Sequence, residues 1–226
     1  YNGTLPVTMD MMIVHAAAVT RGAPSAFVIG DMPFLSYQVC KEEAVRNAGR
    51  FMQEAGTDAV KLEGGAAMAD TVKAIVTAGI PVMGHIGLTP QSISALGGFK
   101  AQGRSAEAAY RLIKDAEALE AAGAFSILLE AIPPEISAII TEKARIPIIS
   151  IGAGLPCDGQ LLIVHDMLGF FDRFTPKFVK KYADLNGTIF QAMLQYKDEV
   201  HQHSFPAKEH TYGMPAEEME KLHKML

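Results

Sequence analysis

The sequence predicts an α/β fold of the (βα)8 TIM-barrel type, on three observations. Five short apolar segments, AFVIGD, DAVKLE, PVMGH, FSILLE and PIISIG, have the length and continuity of parallel strands buried on both faces. Helical patterns, most of them closed by a glycine, separate these segments. Each segment ends on a polar or glycine-rich position, and in βα repeats the strand C-termini open onto the ligand face.

The first helix reads as MDMMIVHAAAVTR, with Thr8 as its N-cap and Gly22 as its stop. The strand AFVIGD follows, then Pro33 in a loop. Residues 41–55 form a helix that ends at Gly56, before the strand AVKLE. The next helix, AAMADTVKAIVTA, ends at Gly79 ahead of PVMGH. A long loop holds TPQS and the flexible GGFKAQGR, and Ser105 caps the longest helix, which stops at Gly123. FSILLE, the helix PPEISAIITEKA and PIISIG complete a further unit.

DGQLLIVHDMLGF follows PIISIGAG too closely for a parallel crossover of about a dozen residues. It is therefore expected to be a helix capped by Asp158 and ended near Gly169, with KFVKKY as the sixth strand. The helix LNGTIFQAMLQYKDEVHQ comes next, and residues 204–226 form a C-terminal tail. Six strands leave a barrel two βα units short, so the first two units are expected to be absent from this chain. An open doubly wound sheet is the structural alternative.

The bulk properties narrow the class. At 226 residues the chain suits one barrel domain spanning 1–226. With 49% apolar and 20% charged residues, disordered and fibrous classes are unsuited. The net charge of −5, without a basic stripe, argues against nucleic acid and for a small-molecule partner. Cys40 and Cys157 have no metal or redox spacing, so a reduced, intracellular, cytoplasmic protein is expected. No apolar run reaches the roughly 18 residues of a membrane span. The opening YNGTLPV lacks an initiator methionine and an opening strand, and reads as a processed or incomplete N-terminus.

Several polar residues stand out against this apolar background. Lys61 and Glu63, two apart on a strand, share one face, as an internal salt bridge or as part of a site. Asp31 is either a turn aspartate or, with Glu63, a hard oxygen ligand suited to Mg²⁺. Glu130, beside an apolar run, has its charged form disfavoured; it is a general base or an ion-pair glutamate. His85 is a donor to substrate or a hydrogen-bonded core histidine. Gly152 and Gly154 would let backbone approach a ligand. His165 is read as structural, and the twelve methionines as core filler.

TLPVTMDMMIVH, GDMPF, VKLEGG, GHIGLTPQS, GGFKAQGR, LLEAIP, ISIGAG, DGQLLIVHDMLG and PKFVKKYADL occur in one order along nearly the whole chain. Together they closely resemble the ketopantoate hydroxymethyltransferase family. The resemblance implies a barrel of the phosphoenolpyruvate-binding class. It also implies Mg²⁺-dependent transfer of a hydroxymethyl group from 5,10-methylenetetrahydrofolate to 3-methyl-2-oxobutanoate. By the same resemblance, Asp31 would bind metal and keto acid, and Lys61 the substrate carboxylate. Glu63 would be a direct or second-sphere metal ligand, Glu130 the proton acceptor, and His85 a neighbour of the substrate. The family motif Gly-Asp-Ser, carrying a metal-binding aspartate on an upstream strand, does not occur here. GGFKAQGR is a candidate lid, and a homodecamer of two pentameric rings is the implied assembly. Two other classes remain open: a metal-dependent lyase or aldolase of the same barrel class, and a non-catalytic remnant.

Overall fold

In the computed structural model, which describes residues 3–226, the chain divides into two compact units, the first running to Leu162 and the second being Ile163–Leu226. The first unit opens with α1 (Met9–Gly22), where Thr8 Oγ1 accepts the Met11 N–H at 3.3 Å and satisfies a donor of the first turn. There follow β1 (Ile29–Asp31), α2 (Lys41–Arg50), β2 (Ala59–Glu63), α3 (Ala69–Thr77) and β3 (Val82–Gly87). The short α4 (Ile93–Leu96) precedes α5 (Ala106–Ala121), β4 (Ser126–Glu130), α6 (Pro134–Lys143), β5 (Ile148–Ile151) and β6 (Gly159–Gln160). Helix α2 continues through one wider π-helical turn, Phe51–Ala55, and stops at Gly56, whose φ of 67° ends it in the left-handed region.

The six strands form one parallel sheet in the order β1-β2-β3-β4-β5-β6. Strands that follow each other in sequence also pair in space, as barrel staves do. A doubly wound sheet would reverse direction at a switch point, and no reversal occurs among the described strands. Right-handed crossovers that always step the same way put every helix on the same face. In agreement, α2 packs on α3, α3 on α5 and α5 on α6.

The pleat separates the two faces of this sheet. Val60, Leu62, Val82, Ile86, Ile127, Leu129 and Ile148 point beneath the helices and are almost wholly buried. Each such side chain contributes about 1.5–3 kcal/mol by leaving water. Two glycines set how closely the helical layer approaches: a Cβ on Gly30 would lie 2.3 Å from the Phe51 ring, and one on Gly84 2.7 Å from Leu119 Cδ1. The other face carries the residues that alternate with these, and it bears the charge.

The expectation for residues 158–182 is corrected. Asp158 caps no long helix: its carboxylate accepts the Ile148 N–H at 2.8 Å, and the chain then forms β6, pairing Gly159 with Ile149 and Gln160 with Ser150. The sixth strand is thus only two residues long and reaches its place without a helical crossover. Left-handed turns at Gly152 (φ 73°) and Gly154 (φ 91°) fold the link back on itself. KFVKKY is no strand, because Lys177, Lys180, Lys181 and Tyr182 are all exposed and the segment has no ladder partner.

Within the second unit lie α7 (Val164–Met167), α8 (Leu185–His201) and α9 (Ala216–Met225). Asp184 caps α8 by accepting the Gly187 N–H at 3.1 Å. His165 is exposed and stands edge-on to Phe170. No helix of the described residues is long and apolar enough to cross a membrane.

Gly30→Ala, which drives a methyl into the buried Phe51 ring, is expected to lower stability by about 1–3 kcal/mol, measured as the shift of the urea midpoint at constant slope.

Candidate active site

Strand register brings the polar residues named from the sequence onto one face. Asp31 pairs with Lys61, Glu63 with His85, and Gly87 with Glu130, so all five side chains project from the face without helices. They occupy the C-terminal ends of four adjacent strands, where the sequence expectation placed them.

The contacts are tight. Lys61 Nζ lies 2.7 Å from Asp31 Oδ1 and 3.3 Å from His85 Nδ1. His85 Nδ1 is 3.8 Å from Glu63 Oε1, and His85 Nε2 is 3.2 Å from Glu130 Oε2. One carboxylate and a histidine therefore flank the ammonium, the histidine in turn lies against two more carboxyls, and Glu63 and His85 are buried.

Electrostatics follow from burial. The Glu63 carboxyl is pushed up to about 7, chiefly by desolvation, against the attraction of Lys61 and the Gln91 N–H. Glu130 is likewise raised to about 7 by burial first and by the charge of Glu63 second. Burial, and then the Lys61 charge, hold His85 well below the ordinary histidine range, so it is neutral. Its contacts with the two glutamates, though within ion-pair distance, are therefore not ion pairs. Two buried polar atoms, Asp31 Oδ1 and His85 Nε2, lack any aligned hydrogen-bond partner among the described residues. Their neighbours are near enough in distance but wrong in direction.

Two carboxyls that resist ionisation, beside the Asp31 carboxylate that Lys61 holds, fit a hard cation, which would favour their charged forms. No three His, Cys, Asp or Glu side chains among the described residues group closely enough to hold a metal unaided. A Mg²⁺-like ion does not need that, since it takes one or two carboxylates and keeps water or substrate oxygens.

Two residues of this site escaped the sequence reading. Tyr37, 1% exposed, donates its hydroxyl to Gln91 Oε1 at 2.9 Å and accepts the Glu63 N–H at 3.1 Å. Gln91 donates its own backbone N–H to Glu63 Oε2 at 2.9 Å. A tyrosine in an irregular loop and a glutamine after a proline carry no periodic signal, and TPQS reads only as part of a long loop.

Glu130 is followed by Ala131 at φ 48°, a left-handed backbone in a residue with a Cβ. It is held by hydrogen bonds from Ala131 N to Ile151 O and from Gln102 N to Ala131 O, both 3.0 Å. The second of these ties the 97–104 loop to the strand end bearing Glu130. Gly154 has a packing role, because a Cβ there would lie 2.7 Å from Pro134 Cβ. Cys40 and Cys157 are free thiols.

The comparisons with known proteins agree with one another. A family profile described as ketopantoate hydroxymethyltransferase matches residues 1–208. The chain is 58% identical over 221 residues to a 3-methyl-2-oxobutanoate hydroxymethyltransferase of Oleidesulfovibrio alaskensis, covering 98% of this chain and 76% of that protein. It is 55% identical to the protein of the same name from Syntrophomonas wolfei, covering 99% and 81%. Among solved structures, phosphonopyruvate hydrolase superposes with a TM-score of 0.52 at 10% identity, over 98% of this chain and 76% of that one. That last likeness shows the fold alone.

The raised carboxyls make stability depend on pH. Glu63 and Glu130 hold their protons to about pH 7 in the folded chain but lose them near 4.5 when unfolded. Between those values the folded state binds more protons, so stability falls as pH rises, by up to about 3 kcal/mol for each group. Urea unfolding in EDTA is expected to show this slope, and Glu130→Gln to reduce it and to raise stability above pH 7.

Proposed function

The chain belongs to the ketopantoate hydroxymethyltransferase family, and on that premise we propose how its strand-end cluster carries out the reaction. It is a transferase that hydroxymethylates 3-methyl-2-oxobutanoate to ketopantoate, in pantothenate biosynthesis. The one-carbon donor in this reading is 5,10-methylenetetrahydrofolate.

The observation that carries the mechanism is the Glu130 carboxyl, raised to about 7 and lying 3.2 Å from His85 Nε2 on the charged face. A carboxyl with that affinity for protons is matched to general-base work near neutrality. Glu130 takes the C3 proton of the keto acid, which its adjacent carbonyl acidifies. Lys61, held by Asp31 at 2.7 Å, receives the substrate carboxylate as a fixed positive charge. Neutral His85 lies between Glu63 and Glu130, beside the keto acid. With C3 deprotonated, its electron pair forms the bond to the donated carbon and water supplies the hydroxyl oxygen; both C–N bonds to that carbon break, and the two nitrogens take up the C3 proton and one proton of the water as tetrahydrofolate leaves.

The cation of this reading is Mg²⁺, with Asp31 as a ligand and Glu63 as a direct or water-mediated one. When bound, it would act as a Lewis acid toward charge developing on the keto oxygen. Two carboxylates on adjoining strand ends, the donor type that a hard cation prefers, support that assignment.

Four further elements belong to the same proposal. The six parallel strands are staves of a (βα)8 barrel of the phosphoenolpyruvate-binding class, with the whole chain in one domain. Loop 97–104, whose Gly97 and Gly98 have φ of 68° and 112°, is the lid over the bound substrates. The protein is cytoplasmic. It assembles as a homodecamer, which the exposed apolar stripe Ile189, Met193, Tyr196 and Val200 of α8 supports.

Proton NMR of 3-methyl-2-oxobutanoate in D₂O, with protein and Mg²⁺ but no folate, tests the reading: the C3 signal is expected to disappear, and EDTA to stop its loss. Glu130→Gln is expected to bind the keto acid normally and to slow this exchange by about 100-fold or more; exchange at the wild-type rate would remove Glu130 from the role. Asp31→Ala is expected to weaken Mg²⁺-dependent keto-acid binding by about 10-fold or more in calorimetry, and unchanged affinity would refute its ligand role.

A further inference from the structure

Gln91 is a buried, uncharged side chain whose amide is hydrogen-bonded to protein at both its nitrogen and its oxygen. Its Nε2 donates to Met32 O at 2.8 Å. Its Oε1 accepts from the Tyr37 hydroxyl at 2.9 Å and, more weakly, from Gln38 Nε2 at 3.4 Å. Met32 directly follows Asp31. The same residue's backbone N–H grips Glu63 Oε2 at 2.9 Å, while Tyr37 holds the Glu63 backbone at 3.1 Å. One carboxamide and one phenol therefore connect three separate stretches of chain: the end of β1, the end of β2 and the turn after β3.

This arrangement does more than fill space. A buried amide with all its partners contributes little net stability, and an apolar residue of similar size would serve the core as well. What the hydrogen bonds add is geometry. They fix the separation between the strand ends that carry Asp31 and Glu63. By holding the turn in place they also seat the Gln91 backbone N–H, which fixes the rotation of the Glu63 carboxylate: Oε2 is tied to the turn and Oε1 is left toward His85, 3.8 Å from its Nδ1.

We propose that Gln91, braced by Tyr37, is the positioning residue that sets Asp31 and Glu63 as a pair facing one divalent cation. The inference rests on the reading that both carboxylates serve the cation and keto-acid end of the site. It assigns Gln91 no contact with the reacting atoms, and it predicts that Gln91 acts through Glu63 rather than through Glu130.

The test is Mn²⁺ binding to the full chain, followed as free Mn²⁺ by electron paramagnetic resonance, in wild type, Gln91→Met, Tyr37→Phe, Glu63→Gln and the Gln91→Met/Glu63→Gln double variant. Gln91→Met keeps the volume and removes every amide hydrogen bond; it is expected to weaken Mn²⁺ binding by about 10-fold or more. Tyr37→Phe removes one hydroxyl and is expected to give a smaller loss of the same sign, which carries the test if Gln91→Met does not fold. In the double variant the loss is expected to match that of Glu63→Gln within about 2-fold, since the two act as one unit. Losses that multiply instead would overturn the inference, as would wild-type affinity in a folded Gln91→Met or, where that variant does not fold, in Tyr37→Phe. Weak binding by Glu63→Gln beside normal binding by Gln91→Met would overturn the inference alone. Wild-type affinity in Glu63→Gln would overturn the reading of Glu63, and the inference with it.

Discussion

Lys61 is the charge around which the strand ends are arranged. Its ammonium sits 2.7 Å from Asp31 and 3.3 Å from His85, within a face that also carries Glu63 and Glu130. Without it, three carboxyl groups on adjoining strands would face one another in a poorly solvated space, and the cost of ionising them would rise steeply. Its charge lowers the proton affinity of both glutamates and helps keep His85 neutral. One cation thus acts on two glutamates and a histidine together, after burial, which is the larger influence on each. That coupling makes the cluster a reactive surface, since none of its members is satisfied by a single partner.

The frame that delivers this surface is simple. Sequential parallel strands and one-sided helices leave the opposite face to the alternate residues, and the charged groups gather toward the C-terminal ends of those strands. The apolar face is uniform and tight, to the point that Gly30 and Gly84 give the Phe51 ring and Leu119 room to seat. Rigidity below and clustered charge above belong to one design, because a soft sheet would let the carboxylates relax apart.

Much of this was legible in the sequence. The first five strands, the helix caps at Thr8 and Ser105, and the gathering of Asp31, Lys61, Glu63, His85 and Glu130 all follow from apolar runs, capping chemistry and strand alternation. These signals are local, and the fold preserves them. The region beyond Gly154 was misread for an equally physical reason. Its apolar run fits helix or strand, and the outcome was decided by Asp158, whose carboxylate reaches the Ile148 N–H on β5. The roles of Tyr37 and Gln91 were invisible for the same cause, as each is defined by partners far along the chain. A tertiary hydrogen bond leaves no periodic trace.

The strand order also bears on how the site comes into being. Because each strand pairs with the one before it in sequence, the Asp31–Lys61 contact closes a single βα unit, as does that between Glu63 and His85. A nascent chain can assemble the ammonium and its first carboxylates while the strand that brings Glu130 is still to come. The Asp31–Lys61 and Glu63–His85 contacts then precede the contact between His85 and Glu130. Cotranslational order and the build-up of the charged cluster run in the same direction along the polypeptide.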